Sequence, residues 1–260
     1  MAALATVPGR RRDVGWLTQR PIAHRGYHDR VAGRIENTAS AFAAAIAHNF
    51  AIECDVRLTA DEDAAVFHDE TLERLTTGTG PVEGLGLAAL RGLRIHGTTD
   101  RIPTLSELLE QVSGRVPLFI ELKSKWNEDR RLERRVADVL TDYSGPAAVM
   151  SFDPSSMRAM ADYAPQIPRG LLGCRFRAEE GWSELPPFYR FQLRHLFAAA
   201  VVAPQFIAYD VTALPADAPL ILRHVFAMPL LTWTVRSAGE RTTAKRWADQ
   251  MIFETFDPDS

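Results

Sequence analysis

Short apolar runs alternate with longer amphipathic stretches along most of this chain. Each run has the length of one strand, and most of the stretches between them are long enough for a helix, an order that predicts a parallel sheet. Eight such strands close a barrel, and the 260 residues match the about 250 that such barrels need. We therefore predict an α/β fold, a single TIM-type (β/α)8 barrel. The predicted strands begin at Pro21, Ala51, Val116, Ala147, Arg169, Phe206, Pro229 and Gln250.

One apolar run departs from the alternation. After the second strand, IECDVRLT, the polar stretch Ala60 to Asp63 is too short for the helix that a parallel crossover requires, and the apolar run AAVFH follows at once. The pattern predicts a β-hairpin arm after strand 2 that returns to His68. Because alternate residues of a strand share a face, Glu53 and Asp55 point the same way and Cys54 points the other way.

The segment Pro186 to Pro204 has the spacing of one amphipathic helix. We expect this helix to bury its apolar residues against the sheet, and contact with a membrane surface is the alternative. The apolar residues available for packing are Phe188, Phe191, Leu193, Leu196 and Phe197.

Composition and charge exclude several classes of protein. The formal net charge of −3 gives no reason to expect nucleic-acid binding, and Cys54 and Cys174 are too few for a disulfide framework. The basic cluster Arg10 to Arg12 follows a weakly apolar start, the reverse of a secretory signal, so we expect a cytoplasmic protein. No apolar run reaches the ~20 residues of a membrane span. We divide the chain into an N-terminal extension, residues 1–20, and a barrel domain, residues 21–260.

Polar residues gather at the ends of the predicted strands. In barrels of this type the catalytic groups lie at the C-terminal strand ends, so these side chains should meet at one mouth. That convergence is the main argument for a site, because each strand was predicted from its apolar residues alone. The polar and aromatic residues at these ends are His24, Arg25, Glu53, Asp55, Glu121, Lys123, Ser151, Phe152, Asp210, Trp233 and Glu254.

Three of these residues suit a metal ion. Glu53, Asp55 and Glu121 offer carboxylate oxygens, which the hard cations Mg²⁺ and Ca²⁺ prefer. Arg25 and Lys123 would face anionic oxygens, the guanidinium as a fork and the ammonium as a compact charge. A hard cation and two basic side chains together suit a phosphodiester, whose transition state spreads negative charge over its oxygens.

Two histidines complete this set. His24 and His68 can each exchange a proton near neutral pH, so that one can act as base and the other as acid. The remaining histidines have no carboxylates near them in the predicted arrangement, and we interpret them as structural. These are His28, His48, His96, His195 and His224.

The order of these motifs resembles the glycerophosphodiester phosphodiesterase family. Each motif alone is weak, but the ordered set extends over nearly the whole chain. The motifs are HRG at His24, ENT at Glu36, ExD at Glu53, HD at His68, PTLSELL at Pro103, ELK at Glu121, SF at Ser151 and WTV at Trp233.

The resemblance implies a phosphatidylinositol-phospholipase-C-like barrel that hydrolyses a small-molecule glycerophosphodiester to glycerol 3-phosphate and an alcohol with Mg²⁺ or Ca²⁺. By position, His24 and His68 become the acid–base pair. Trp233 and Phe152 either form an apolar wall for glycerol or an acyl-bearing group, or simply pack inside the barrel. The implied metal ligands are Glu53, Asp55 and Glu121, and the implied phosphate contacts are Arg25 and Lys123.

The chain departs from the family pattern at several positions. Ile35 and Asp63 stand where the family often has proline and a turn glycine, and we expect both to be tolerated. Glu254 lies where a Thr-Asp pair is common, which leaves the role of the eighth strand open. Arg236 stands where asparagine is common, so that side of the mouth would recognise a different group. In the triplet ENT, Asn37 or Thr38 either caps the following helix or belongs to the site.

Two alternatives to a glycerophosphodiesterase stay open at this point. A more apolar mouth would admit lysophospholipids and make the protein a lysophospholipase D, and residues 188–214, which fit the family least, would then set selectivity. A noncatalytic phosphodiester-binding barrel would instead have lost a histidine or a metal carboxylate, and none is missing here. The sequence does not indicate an oligomeric state or decide between Mg²⁺ and Ca²⁺.

Overall fold

The computed structural model of the protein describes residues 14–260. The cluster Arg10 to Arg12 lies outside the described residues, and the domain boundary at residue 20 stays a prediction. A 3-10 turn, Gly15–Thr18, buries Leu17 in the same apolar cluster as residues at the starts of the barrel strands. The ring of Trp16 lies 5.6 Å from that of Phe119. The segment before the first strand therefore closes the N-terminal end of the barrel.

Eight parallel strands form a closed barrel, because the first strand pairs with both the second and the last. The fold prediction is confirmed, and every predicted strand start lies within two residues of the observed one. The barrel strands are β1 (Ile22–Ala23), β2 (Ala51–Leu58), β4 (Leu118–Leu122), β5 (Ala147–Ser151), β6 (Arg169–Gly173), β7 (Phe206–Asp210), β8 (Leu230–Val235) and β9 (Gln250–Phe253).

The remaining strand, β3 (Ala64–Val66), is the predicted hairpin arm. It runs antiparallel to β2, with Val56 opposite Val66. Asp63 does not need the conformation of the glycine it replaces, because the left-handed residue of this turn is Glu62, and Asp63 Oδ1 accepts a hydrogen bond from the backbone of Ala64. Ile35 is buried in an apolar cluster beside the arm. Both departures from the family pattern are thus accommodated.

Helices cover the outside of the barrel, and side-chain caps fix where several of them begin. Thr38 caps the first helix by accepting a hydrogen bond from Ala41 N, and Thr104 and Glu107 form a capping box at the third. The helices are α1 (Ala39–Ala47), α2 (Leu87–Gly92), α3 (Leu105–Val112), α4 (Arg131–Thr141), α5 (Pro154–Tyr163), α6 (Pro187–Arg194), α7 (Ala199–Val202), α8 (Asp217–Phe226) and α9 (Ala238–Trp247).

The prediction of one buried helix over Pro186 to Pro204 is wrong. The chain forms two helices, α6 and α7, with Leu196 in a left-handed conformation between them. Leu193 and Leu196 are buried as expected. Phe188 and Phe191 are exposed because the face of α6 with Tyr189 and Leu193 packs inward and turns the other face to solvent, and Phe197 is exposed in the link between α6 and α7. Their exposed fractions are 70% for Phe188, 48% for Phe191 and 54% for Phe197.

No helix in residues 14–260 is long and apolar enough to cross a bilayer. The cytoplasmic location stays a prediction.

The alternation along each strand separates the inside of the barrel from its outside. Ala51, Phe119 and Phe206 belong to the cluster inside the barrel, while Cys54 belongs to the larger cluster between the strands and the helices. The inward positions beyond this cluster, at the C-terminal strand ends, are mostly polar or aromatic. The side chains predicted to form the site therefore follow directly above an apolar plug.

Candidate active site

A cleft of about 320 Å³ opens at the C-terminal ends of the barrel strands. Eight of the nine predicted site residues line it, and the ninth, Asp55, lies fully buried behind them. The lining residues among the nine are His24, Arg25, Glu53, His68, Glu121, Lys123, Phe152 and Trp233.

Three carboxylates lie together on the charged side of this cleft, Glu53 and Glu121 in its lining and Asp55 behind them. Glu53, Asp55 and Glu121 each place one oxygen within 4.8 Å of the others, and Asp55 and Glu121 are direct partners across β2 and β4. Lys123 Nζ lies 2.9 Å from Asp55 Oδ1 and 2.6 Å from Glu121 Oε1. Glu53 Oε1 is buried without a hydrogen-bond partner in the part of the chain that the structure describes.

The pKa values in this cluster follow from burial and from the placement of positive charge. Burial, with Asp55 and Glu121 nearby, raises the pKa of Glu53 well above its usual value. Burial acts the same way on Asp55, but Lys123 and Arg25 outweigh it and lower the pKa of that carboxyl. The cluster thus lacks positive charge at Glu53, where an oxygen is also unpaired. These hard oxygen donors fit a divalent cation held by Glu53, Asp55 and Glu121.

Each of the two predicted histidines is held by a carboxylate at Nδ1. His24 Nδ1 is bonded to Glu254 Oε1, and its Nε2 lies 3.8 Å from Glu53 Oε2. His68 Nδ1 lies 2.8 Å from Asp69 Oδ1. Burial lowers the pKa of His68 to about 4, and burial also lowers that of His24 against the opposing hydrogen bond of Glu254. A carboxylate at Nδ1 leaves Nε2 of each ring for proton exchange in the cleft.

Arg25 is fixed by its own backbone as well as by its side chain. It has a left-handed conformation, and its N–H donates to Glu53 Oε2 at 2.9 Å. Its guanidinium donates to Glu36 at 2.7 Å and lies 3.2 Å from Asp55. The next residue, Gly26, must be glycine, because its φ is +81° and a Cβ would meet Ala41 at 3.0 Å. The tight turn after β1 thus directs Arg25 toward the carboxylates.

The triplet ENT has both of the roles considered for it. Thr38 caps α1, whereas Asn37 Nδ2 donates to Asp55 Oδ2 at 2.8 Å and Asn37 Oδ1 accepts from the backbone of Asp55. Glu36 joins Arg25 to a further arginine, Arg74, which also binds Asp69. Arg74 lies in an irregular loop, so no strand or helix phase in the sequence indicated this role.

Glu254 and His28 take part in the site more closely than their sequence pattern indicates. Glu254 binds His24 through Oε1 and accepts from Arg236 Nε through Oε2 at 2.6 Å, which answers the open question of the eighth strand. His28 was interpreted as a structural residue without acidic neighbours, but its Nε2 lies 3.7 Å from Glu254 Oε1. Glu254 lies two residues after Ile252, which points into the barrel. This alternation along β9 is the sequence feature that indicates an inward position for Glu254.

The other side of the cleft is apolar. The rings of Phe152 and Trp233 lie 5.5 Å apart at 90°, and Trp233 Nε1 donates to Ala208 O at 3.1 Å. Phe152 also contacts Phe176 and Trp182, so the wall continues outward toward α6. Phe152 and Trp233 thus fulfil both predicted roles, because they form a wall of the cleft and also pack against other aromatic residues.

Comparison with known proteins agrees with this architecture. The chain is 34% identical over 163 residues to a glycerophosphodiester phosphodiesterase of Caldanaerobacter subterraneus, a match over 58% of this chain and 65% of that protein. A glycerophosphodiester phosphodiesterase of Bacillus altitudinis is 33% identical over 163 residues, which again cover 58% of this chain and 65% of that protein. The chain thus spans less than two thirds of the length of these relatives.

Solved structures share the fold at lower identity. A phosphodiesterase from Oleispira antarctica, in complex with the product sn-glycerol-3-phosphate, has a TM-score of 0.74 at 21% identity and covers 92% of this chain and 93% of its own. A glycerophosphodiester phosphodiesterase from Agrobacterium tumefaciens has a TM-score of 0.68 at 22% identity, covering 90% and 94%. The profile of the glycerophosphoryl diester phosphodiesterase family matches residues 24–256. The chain therefore belongs to the glycerophosphoryl diester phosphodiesterase family.

Proposed function

We propose that this protein hydrolyses glycerophosphodiesters to glycerol 3-phosphate and an alcohol, using a divalent cation and two histidines. One observation carries the proposal: His24 and His68, each held at Nδ1 by a carboxylate, line the same cleft as the buried carboxylates Glu53 and Glu121. The product named for the Oleispira antarctica neighbour, sn-glycerol-3-phosphate, supports the same reaction.

Glu53, Asp55 and Glu121 would hold the cation, which when bound supplies positive charge for the phosphate oxygens. Arg25 and Lys123 bind those oxygens from the protein side and orient the diester. One histidine accepts the proton of the glycerol hydroxyl next to the phosphate as its oxygen bonds to phosphorus, and the other donates a proton to the departing alcohol. This step gives a cyclic phosphate. The ring that donated a proton then accepts one from water as water attacks phosphorus, and the other ring returns its proton to the glycerol oxygen that leaves phosphorus.

The first experiment measures release of glycerol 3-phosphate from glycerophosphocholine and glycerophosphoethanolamine with Mg²⁺, Ca²⁺ or EDTA. We expect turnover that requires the cation, and a loss of at least the ~10² typical of acid–base groups in His24→Ala and in His68→Ala. His224→Ala is the matched control, because His224 is exposed on α8 and does not line the cleft. Near-normal turnover in either cleft variant would remove that histidine from the mechanism.

Lysophospholipase D activity is the second candidate, favoured by the apolar wall that runs from Phe152 and Trp233 toward Trp182. A lysophosphatidylcholine arm in the same assay distinguishes the two reactions. Turnover of the lysolipid alone would assign the wall to an acyl chain. Absence of turnover with every substrate would favour a phosphodiester-binding protein, although no catalytic candidate is missing.

A further inference from the structure

The two halves of the cleft differ in chemistry. Most of the charged groups described above follow β1, β2, the arm β3 and β4, whereas β5 to β8 contribute mainly apolar side chains, with Arg236 and Glu240 beyond the end of β8. Asp210, at the end of β7, is a carboxylate on this apolar half. The sequence predicts Asp210 at a strand end, but this residue has no role in the proposed reaction.

Asp210 is directed into the barrel and forms no ion pair with the described part of the chain. Phe206 and Ala208, the preceding residues of the same parity on β7, belong to the interior cluster. Asp210 Oδ1 accepts hydrogen bonds from Thr212 N at 2.8 Å and Thr212 Oγ1 at 2.9 Å. Across residues 14–260, no lysine, arginine or histidine forms an ion pair with it.

The basic groups that line the cleft are, in contrast, already paired with other carboxylates. Arg25 lies against Glu36 and Asp55, and Lys123 lies against Asp55 and Glu121. Arg236 binds Glu254. The negative charge of Asp210 is therefore left for a ligand.

An aromatic corner stands beside this carboxylate. Trp233 is the direct cross-strand partner of Asp210, and Phe152 meets Trp233 at a right angle. The hydrogen bond from Trp233 Nε1 to the backbone of β7 holds the indole in place. Asp210, Trp233 and Phe152 all line the same cleft. Aromatic rings and a carboxylate that line one cleft suit a quaternary or primary ammonium group, because the ring quadrupole and the carboxylate both attract a cation.

We propose that Asp210, Trp233 and Phe152 form a subsite for a cationic alcohol headgroup, so that the enzyme prefers glycerophosphodiesters of choline or ethanolamine over those of an uncharged alcohol. This inference rests on the proposed function and names its substrate class. With the phosphate at Arg25 and Lys123, the alcohol extends across the cleft to the apolar half. An uncharged headgroup there leaves the charge of Asp210 unbalanced.

The test compares kcat/KM for glycerophosphocholine and for glycerophosphoglycerol, whose headgroup is neutral. Wild type should prefer the choline diester by about tenfold or more, which corresponds to about 1.4 kcal/mol. Asp210→Asn should remove most of that preference by lowering kcat/KM for the choline diester alone. The asparagine oxygen can still accept from Thr212, so the turn after β7 is kept.

Glu240→Gln is the matched control. Glu240 also lines the cleft, but its Oε2 accepts from the backbone of Arg236 and caps α9 with Ser237. The ratio of the two kcat/KM values should stay at the wild-type value in this variant. A ratio that Asp210→Asn leaves unchanged, or that Glu240→Gln lowers equally, would overturn the subsite.

Failure of the proposed function gives a different result. If wild type hydrolyses neither diester, choline binding is measured by saturation-transfer NMR on the intact protein. Binding that weakens about tenfold in Asp210→Asn and persists in Glu240→Gln would retain the cationic subsite without the hydrolase. Equal choline signals in wild type and Asp210→Asn, or none in either, would reject it.

Discussion

Arg74 connects the two arms of the candidate site, and replacing it tests whether that connection matters. Its Nη1 and Nη2 donate to the two oxygens of Glu36 at 2.9 and 2.8 Å. Its Nε and Nη2 donate to the two oxygens of Asp69 at 2.5 and 2.9 Å. Glu36 in turn holds Arg25, and Asp69 holds His68. One guanidinium therefore orients a phosphate-binding candidate and an acid–base candidate together.

The expected effect of Arg74→Met on stability is small. The Arg74 side chain is 47% exposed, so its ion pairs are screened and together contribute about 1 kcal/mol. For a chain of this size that corresponds to a fall in melting temperature of about 2–4 °C. Burial opposes the ionisation of Asp69, but the hydrogen bonds from Arg74 and His68 outweigh it and lower the pKa of Asp69 to about 2. Removal of Arg74 takes away the largest of these lowering contributions, so the pKa of Asp69 should rise toward the usual aspartate range, which is still well below neutral pH. The main loss for Asp69 is therefore its orientation.

The expected effect on turnover is larger. Displacement of a catalytic group by about 1 Å can reduce the rate by ~10², so we expect kcat to fall between about tenfold and a hundredfold. Arg74→Lys should recover little of it, because a single ammonium cannot bind two carboxylates through a fork. The assay is glycerol 3-phosphate release with melting temperatures measured on the same samples.

Arg91→Met is the control for Arg74→Met. The Arg91 side chain is 46% exposed and pairs with the single carboxylate of Glu107, away from the cleft. It should lose similar stability and keep its turnover. A kcat for Arg74→Met within twofold of the Arg91→Met value would refute the view that Arg74 positions both groups.

Three further changes have definite expected results. Glu254→Gln should lower kcat by about tenfold or more with little change in melting temperature, since His24 loses the charge at its Nδ1, and unchanged kcat would contradict this. Glu53→Gln should reduce the rise in melting temperature that Mg²⁺ or Ca²⁺ produces in wild type, measured by thermal shift against EDTA; an identical cation titration would exclude Glu53 as a ligand. Burial raises the pKa of Glu133, so the ionisation of this carboxyl at higher pH opposes folding. Glu133→Gln should therefore raise the melting temperature, and by more at pH 8 than at pH 5. An increase that does not depend on pH would contradict this explanation.

The barrel was predictable because its strands are buried on both faces. Such strands appear in the sequence as short continuous apolar runs. The alternation of side chains along each strand then identifies inward residues such as Glu53 and Asp55. The hairpin arm was predictable for a simpler reason, since the polar stretch from Ala60 to Asp63 is too short for any crossover helix. Local spacing was sufficient in each case.

The parts that were missed depend on contacts that local spacing does not encode. The bond between His24 and Glu254 joins residues 230 positions apart and exists only because β1 and β9 pair to close the barrel. Arg74 reaches its partners from an irregular loop. In α6, aromatic residues occur on both faces, so the pattern did not indicate that Phe188 and Phe191 are the ones left in solvent.

The charges at the centre of the site explain why its basic residues can serve two purposes. Three buried carboxylates face the positive charges of Arg25 and Lys123, which leaves one net negative charge when all three are ionised. Lys123 pairs with Asp55 and Glu121, so Glu53 is the carboxylate that has the least compensating positive charge. A divalent cation at the carboxylates would reverse the sign of this cluster to a net positive charge, which matches a phosphodiester monoanion. The same change weakens the attraction that ties Lys123 to Asp55 and Glu121. In the proposed reaction, the ammonium that balances the carboxylates in the free protein would then be available to bind the phosphate.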